Sequence, residues 1–223
     1  MIQTDAKANG TRPRVCFLFI AQTHQILHSL PIAVALARGW PDVEVEIAAT
    51  TAEHLDYVRG LLAQLGGAPI TSRLLPPSWL RNLRLKGAST PPKALMLAAN
   101  AQRLGRYDAV VTPERTTALL RKLGVKDCKL VYTQHGAGDR GGPFEPRLKA
   151  FDLVMAAGPK QYDRMIAEGW VTPPDLRHGR LSQVRHHRRP ARFAATGLRR
   201  TQAGCDVQPA FPPDPGLVAA LGP

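Results

Sequence analysis

Short apolar runs alternate along this chain with amphipathic stretches of helix length, and few folds accept that order. RVCFLFI (Arg14 to Ile20) reads as a strand buried on both faces. The following stretch, Ile26 to Arg38, sets Ile26, Leu30, Val34 and Ala37 near one helical face, with Gly39 as its stop. VEVEIAA (Val43 to Ala49) alternates with period two, and the spacing predicts a helix from Ala52 to Leu65 closed by Gly66 and Gly67. ITSRLL (Ile70 to Leu75) is a third strand, followed by a helix opened by Pro91 and Pro92 that runs to about Leu104. DAVVT (Asp108 to Thr112), a helix from Pro113 to Leu123, the strand KLVYTQ (Lys129 to Gln134), the strand DLVMAAG and a helix from Pro159 to Glu168 complete the series. Strands separated by helices need crossover connections, so the expected fold is a doubly wound, parallel-sheet, Rossmann-like α/β domain.

That pattern fades near Trp170, and composition changes with it. Up to Trp170 the chain carries 8 Lys, 14 Arg and 14 acidic residues, a net of +8; the remaining 53 residues hold 8 Arg, 3 Asp and 8 of the 20 prolines. The headline charge of +13 therefore describes neither part. The expected division is a disordered start over 1–13, the α/β domain over 14–170 and an irregular, disordered tail over 171–223. No apolar run approaches the ~20 residues of a membrane span. The polar start followed by VCFLFI does not read as a secretory leader. Cys16, Cys128 and Cys205 show no ligand-like spacing, so neither a disulfide framework nor a metal site is indicated and a cytoplasmic setting is the default.

In a parallel sheet, ligands bind outside the carboxyl ends of the strands. No G-x-G-x-x-G follows the first strand and no P-loop occurs, which disfavours dinucleotide and P-loop chemistry and calls for no cofactor. The loop after the fifth strand concentrates His135, Gly136, Gly138, Arg140 and Arg147. Glycine amides can curl around an anion, an arginine can clamp a phosphate, and a histidine beyond a strand end can take a proton from a hydroxyl. The same composition also suits a glycine-rich surface turn, and the residues alone leave both readings open. His24 is either substrate-facing or a polar residue at a helix start, and Glu114 and Arg115 open a helix where an acid complements the dipole. RNLRLK (Arg81 to Lys86), near Trp79 and Leu83, is either a solvated loop or a contact for anionic lipid or an anionic polymer acceptor.

Gln134-His135-Gly136 at a strand end, Arg140 five residues after the histidine, and FEPRLKAFDLVMAAGPKQYDRM together resemble the CDP-glycerol glycerophosphotransferase family and related polymerases of GT-B architecture. The resemblance spans roughly Arg14 to Trp170, with its specific part between Tyr132 and Met165. It implies that His135 is the catalytic base toward an acceptor hydroxyl that attacks the donor's β-phosphate. It also implies that Arg140 stands where the family has a lysine, with Gly136 and Gly138 supplying amides. Ala137 replaces the family's threonine, and the loop is richer in glycine. The implied partners are a nucleotide-activated donor, CDP-linked or a sugar nucleotide, and an envelope-polymer or lipid-linked acceptor at the inner face of the membrane, with no nucleic acid.

The tail departs from that family. Read one base out of frame, with codons that the written residues allow, Arg180 to His186 becomes Gly-Tyr-Pro-Lys-Phe-Asp and Cys205 to Pro213 becomes Val-Thr-Tyr-Asn-Pro-His-Phe-His; both resemble second-domain segments. The expectation is a frameshift near Pro173 and Pro174, leaving one domain of a two-domain transferase and an inactive fragment. Two other readings stand beside it: a sugar-nucleotide GT-B glycosyltransferase or UDP-sugar 2-epimerase-like domain, and a basic protein that binds nucleic acid or membrane through its arginines.

Overall fold

The computed structural model describes residues 12–83, 90–134 and 146–172, together with the backbone of 176–178. Seven parallel strands form one sheet in the order β3-β2-β1-β4-β5-β6-β7. They are β1 (Arg14–Phe19), β2 (Glu44–Ala49), β3 (Ile70–Leu74), β4 (Ala109–Thr112), β5 (Lys129–Thr133), β6 (Leu153–Ala156) and β7 (Leu176–His178). The helices between them are α1 (Ile26–Gly39), α2 (Ala52–Gln64), α3 (Ser78–Asn82), α4 (Lys93–Leu104), α5 (Leu119–Lys122) and α6 (Pro159–Ala167). This is the expected doubly wound Rossmann-like architecture.

Period-two geometry distributes the strand residues between two cores. Val15, Phe17 and Phe19 of β1 join Val45 and Ile47 of β2 against Ile26, Leu30 and Val34 of α1 and Leu55 and Val58 of α2. Cys16, Leu18 and Ile20 point the other way, into a layer made with Met96, Leu97 and Leu104 of α4, Leu120 of α5 and Met165 of α6. Burying each of the valine, leucine, isoleucine, phenylalanine and methionine side chains among them stabilises the fold by about 1.5–3 kcal/mol. Because both faces of the central strands are covered, their sequences read as continuous apolar runs.

Helix α2 ends at the two glycines that the sequence marked: Gly66 and Gly67 have φ of 79° and 73°, and their amides return to Ala63 and Leu62 carbonyls. Arg38 of α1 donates to the Leu65 and Gly67 carbonyls, fastening that end to the neighbouring helix.

Three features differ from the sequence expectation. Pro113 to Leu123 is not one helix but a 3₁₀ turn, Arg115–Ala118, followed by the single turn of α5. Side chains compete there for the backbone: Glu114 accepts from the Thr116 amide and hydroxyl, and the Thr112 hydroxyl accepts from the Glu114 amide. A short helix, α3, begins after Pro77 in a segment with no helical period. Beyond Trp170, β7 pairs in parallel with β6 as Val154–Leu176, Met155–Arg177 and Ala156–His178, which extends the sheet into the stretch expected to be irregular. The rest of the tail reading, from residue 179, and the reading of 1–11 lie outside the described residues.

The amino-terminal edge of the sheet is closed by a polar knot. Glu46 projects from β2 with its side chain 9% exposed, pairs with Arg73 of β3, and accepts a 2.8 Å hydrogen bond from the Tyr107 hydroxyl. Arg14 lies 4.9 Å from the Tyr107 ring centre and 3.8 Å from the same carboxylate. Removing the carboxylate leaves an arginine and a phenol short of their acceptor. Glu46→Ala is expected to lower unfolding free energy by about 3 kcal/mol and Tyr107→Phe by about 1 kcal/mol, read from urea melts.

Candidate functional site

Strand β4 lies beside β1, whereas β2 lies on the other side of β1, so the chain reverses its direction of travel across the sheet between these two strands. At such a switch point the loops leave in opposite directions and a crevice opens at the carboxyl ends. Here the β1–β4 register covers Val15–Ala109, Cys16–Val110 and Phe17–Val111 and then stops, although β1 runs on to Phe19. The Thr112 hydroxyl takes over, donating to the Leu18 carbonyl at 3.3 Å and lying 3.3 Å from the Thr117 hydroxyl. On its other side, β1 stays paired with β2 to Phe19–Ala49, and the Thr50 amide bonds the Phe19 carbonyl. The sheet therefore parts on the β4 side of β1.

Each loop at this edge begins differently. After β1, Gln22 turns the chain into the 3₁₀ turn Thr23–Gln25 and then α1, and neither start has a side-chain cap. After β2, Thr51 caps α2 by accepting from the His54 amide at 3.2 Å. After β4, Glu114 caps the 3₁₀ turn and pairs with Lys93 at 2.7 Å. Burial alone would raise the Glu114 carboxyl, but the hydrogen bonds from Lys93 and Thr116 outweigh it and hold the group below its ordinary range. After β5, the Gln134 side chain accepts from the Ala157 amide at 3.0 Å and so bridges to the end of β6, where Gly158 precedes α6. A helix start that no side chain caps, at the switch point, turns the positive end of its dipole toward an anion.

A buried pair of hydroxyls braces this edge: Ser29 in the first turn of α1 and Thr133 at the end of β5 are 2.6 Å apart. That contact ties the start of α1 to the strand whose next residues are Gln134 and His135.

Of the residues singled out from sequence, His24 lies exposed in the 3₁₀ turn at the switch point. Arg147 is exposed on a third 3₁₀ turn, Pro146–Ala150, ahead of β6. His135, Gly136, Gly138 and Arg140 lie outside the described residues. Among the described residues no group of three His, Cys, Asp or Glu could hold a metal ion.

Sequence reasoning missed His54. It is 2% exposed between the ends of β1 and β2, hydrogen-bonded to the Ala21 backbone, with Nδ1 3.5 Å from the Thr50 hydroxyl. Burial drives its imidazole below the ordinary value, against smaller opposing effects of the Ala21 bond and Glu53. The one sequence signal was its place three residues after a capping threonine at a strand end.

A shallow recess at the opposite, amino-terminal edge is lined by Arg121, Lys126, Lys149, Ala150, Phe151 and Asp152. Its arginine is committed to the carbonyls of Ala150, Val125, Lys126 and Cys128 and to the Asp152 carboxylate, so it fastens α5 to the ends of two strands.

No protein family model and no curated protein matches the chain. Among solved structures, it is similar to a Listeria monocytogenes protein assigned as UDP-N-acetylglucosamine 2-epimerase, at 16% identity over 74% of this chain and 44% of that one, with a TM-score of 0.48. A second UDP-N-acetylglucosamine 2-epimerase matches at 16% identity over 74% and 47%, with a TM-score of 0.46. Anabaena HepE, solved with UDP and glucose, matches at 15% identity over 75% and 44%, with a TM-score of 0.45. The chain thus spans less than half the length of each.

His54 sets a pH dependence with a definite sign. Unfolded, its imidazole takes up a proton near pH 6.5, whereas the folded, buried ring resists protonation until lower pH. The unfolded state binds more protons in that interval, so stability falls as pH drops below about 6.5 toward the lowered folded value. Glu114 contributes in the same direction, but only around the lower carboxylate range. Urea melts are expected to show this loss between pH 7 and 5, and His54→Gln to flatten it.

Proposed function

We propose that this chain is one Rossmann-like half of an enzyme acting on a nucleotide-activated donor, with a sugar nucleotide as the first reading. The observation that carries it is the parting of β1 from β4 beside the start of α1, which no side chain caps. A diphosphate seated there would meet the favourable end of the helix dipole. Gln22, Thr23 and His24 stand at the same place, and Arg115 and Thr116 open the turn across the crevice. The Thr112 and Ser29–Thr133 hydroxyl contacts fix the distance between those loops before any ligand arrives, which lowers the ordering cost of binding.

A second reading, a CDP-linked polyol donor with a hydroxyl acceptor, is favoured by Gln134-His135-Gly136 directly after β5. In that reading His135 takes the acceptor's proton while Gly136 and Gly138 amides, Arg140 and Arg147 steady the phosphates. Both readings place the nucleotide donor at the carboxyl edge, and they differ in the base and in the group transferred.

Amide chemical-shift mapping distinguishes them. Titration with UDP-N-acetylglucosamine and with CDP-glycerol to about 10 mM is expected to give saturable shifts at residues 22–25, 115–116 and 134. Tighter binding of the uridine donor supports the first reading and tighter binding of the cytidine donor the second. Shifts confined to the Arg121–Lys149 recess, or none with either donor, would overturn both.

A further inference from the structure

We infer that the outer face of α3 and α4 is a docking surface for an anionic lipid bilayer. Among the described residues four large apolar side chains are conspicuously exposed, and three of them belong to this region: Trp79 at 68%, Leu95 at 50% and Leu83 at 37%. The fourth, Leu123, lies beyond α5. Helices α3 and α4 touch, and each has a buried side that already satisfies the core: Leu80 on α3, and Met96, Leu97 and Leu104 on α4. Trp79 and Leu95 are therefore surplus to the packing of the domain, and an indole with one wet edge is the side chain best suited to a headgroup boundary.

Charge selects the partner. The stretch 78–104, which includes both helices, contains five arginines and lysines and no aspartate or glutamate. Arg81 on α3 and Lys93 and Arg103 on α4 are the cations placed on these two helices, and neither helix carries an acid. Lys93 keeps its counter-ion, Glu114, on the loop after β4, so this end of the surface borders the crevice. Exposed apolar anchors on helices that carry cations and no acid of their own match a surface that is negatively charged outside and greasy beneath. Among the described residues no helix is long and apolar enough to cross a membrane, so the contact is peripheral. It would hold the carboxyl edge of the sheet close to the bilayer, where a lipid-linked acceptor is within reach.

The inference stands on exposure and charge and is independent of the donor reading, since the test contains no nucleotide. The full chain is sedimented with phosphatidylcholine vesicles, with or without phosphatidylglycerol. Binding to the anionic vesicles alone is expected, with Trp79→Phe retaining it and the pair Trp79→Ala and Leu95→Ala lowering it about tenfold. Undiminished binding by the double variant would overturn the inference, because the arginines beyond residue 178 would then be the contact. So would binding to neither vesicle, or capture by single-stranded DNA without vesicle binding. Should the double variant lack native circular dichroism, brominated lipids decide: fluorescence of the unmodified chain is expected to be quenched on anionic vesicles and that quenching largely lost in Trp79→Phe. Absence of quenching in the unmodified chain would overturn the inference.

Discussion

The pairing of β4 with the free side of β1 is the constraint from which the rest of this structure follows. Once the chain has wound outward through β2 and β3, it must cross the sheet to reach that position, and the right-handed crossover then places α4, α5 and α6 on the face opposite α1 and α2. Two separate cores result, and the loops on either side of β1 are driven apart. The short register of β4 against β1 makes the gap deeper, because the last two residues of β1 have no ladder partner on that side. Threonine and serine hydroxyls fill the role that amides would otherwise play there. The Thr112 hydroxyl satisfies the buried Leu18 carbonyl at little volume.

The two edges of the sheet are built on opposite principles. At the amino-terminal edge, Glu46, Arg73, Tyr107 and Arg14 neutralise one another, and Arg121 spends its donors on four carbonyls and a carboxylate. Charges there are already matched, so an incoming ion would have to displace an existing partner. Burial also drives the Cys128 thiol up to about 12 beside this edge, which leaves it unreactive at neutral pH. The carboxyl edge, in contrast, combines uncapped helix starts with exposed Gln22 and His24. Stability is concentrated at one end of the strands and chemical capacity at the other.

How far the sequence discloses this depends on which interactions are local. β1 and β4 are legible because burial on both faces forces uninterrupted apolar runs, β2 because it alternates with period two, and α2 because a threonine and two glycines mark its limits. The helix after β4 is not, since Thr112, Glu114 and Thr116 are ordinary polar residues until the fold lets their side chains capture backbone groups. β7 offers three residues and no period, and only the waiting edge of β6 makes it a strand. His24 was visible as a residue at a strand end, but His54 was not. On α2 it occupies a position that looks solvated, and its burial comes from the β1 loop, more than thirty residues away in the chain. The specific part of the family resemblance runs from Tyr132 to Met165, and 135–145 of it lie outside the described residues, so the reading of His135 stays with the sequence while the strands and helices on either side are read from structure.

The hydroxyl pair between Ser29 and Thr133 has a mechanical consequence. It welds the first turn of a fourteen-residue helix to the tip of a strand two positions removed from the strand that feeds it. Displacement of α1 along its axis would have to break or carry with it the contact to Thr133. The turn carrying His24 and Gln134 after β5 are thus joined by a second path, one helical turn and one hydrogen bond long, besides the sheet between them.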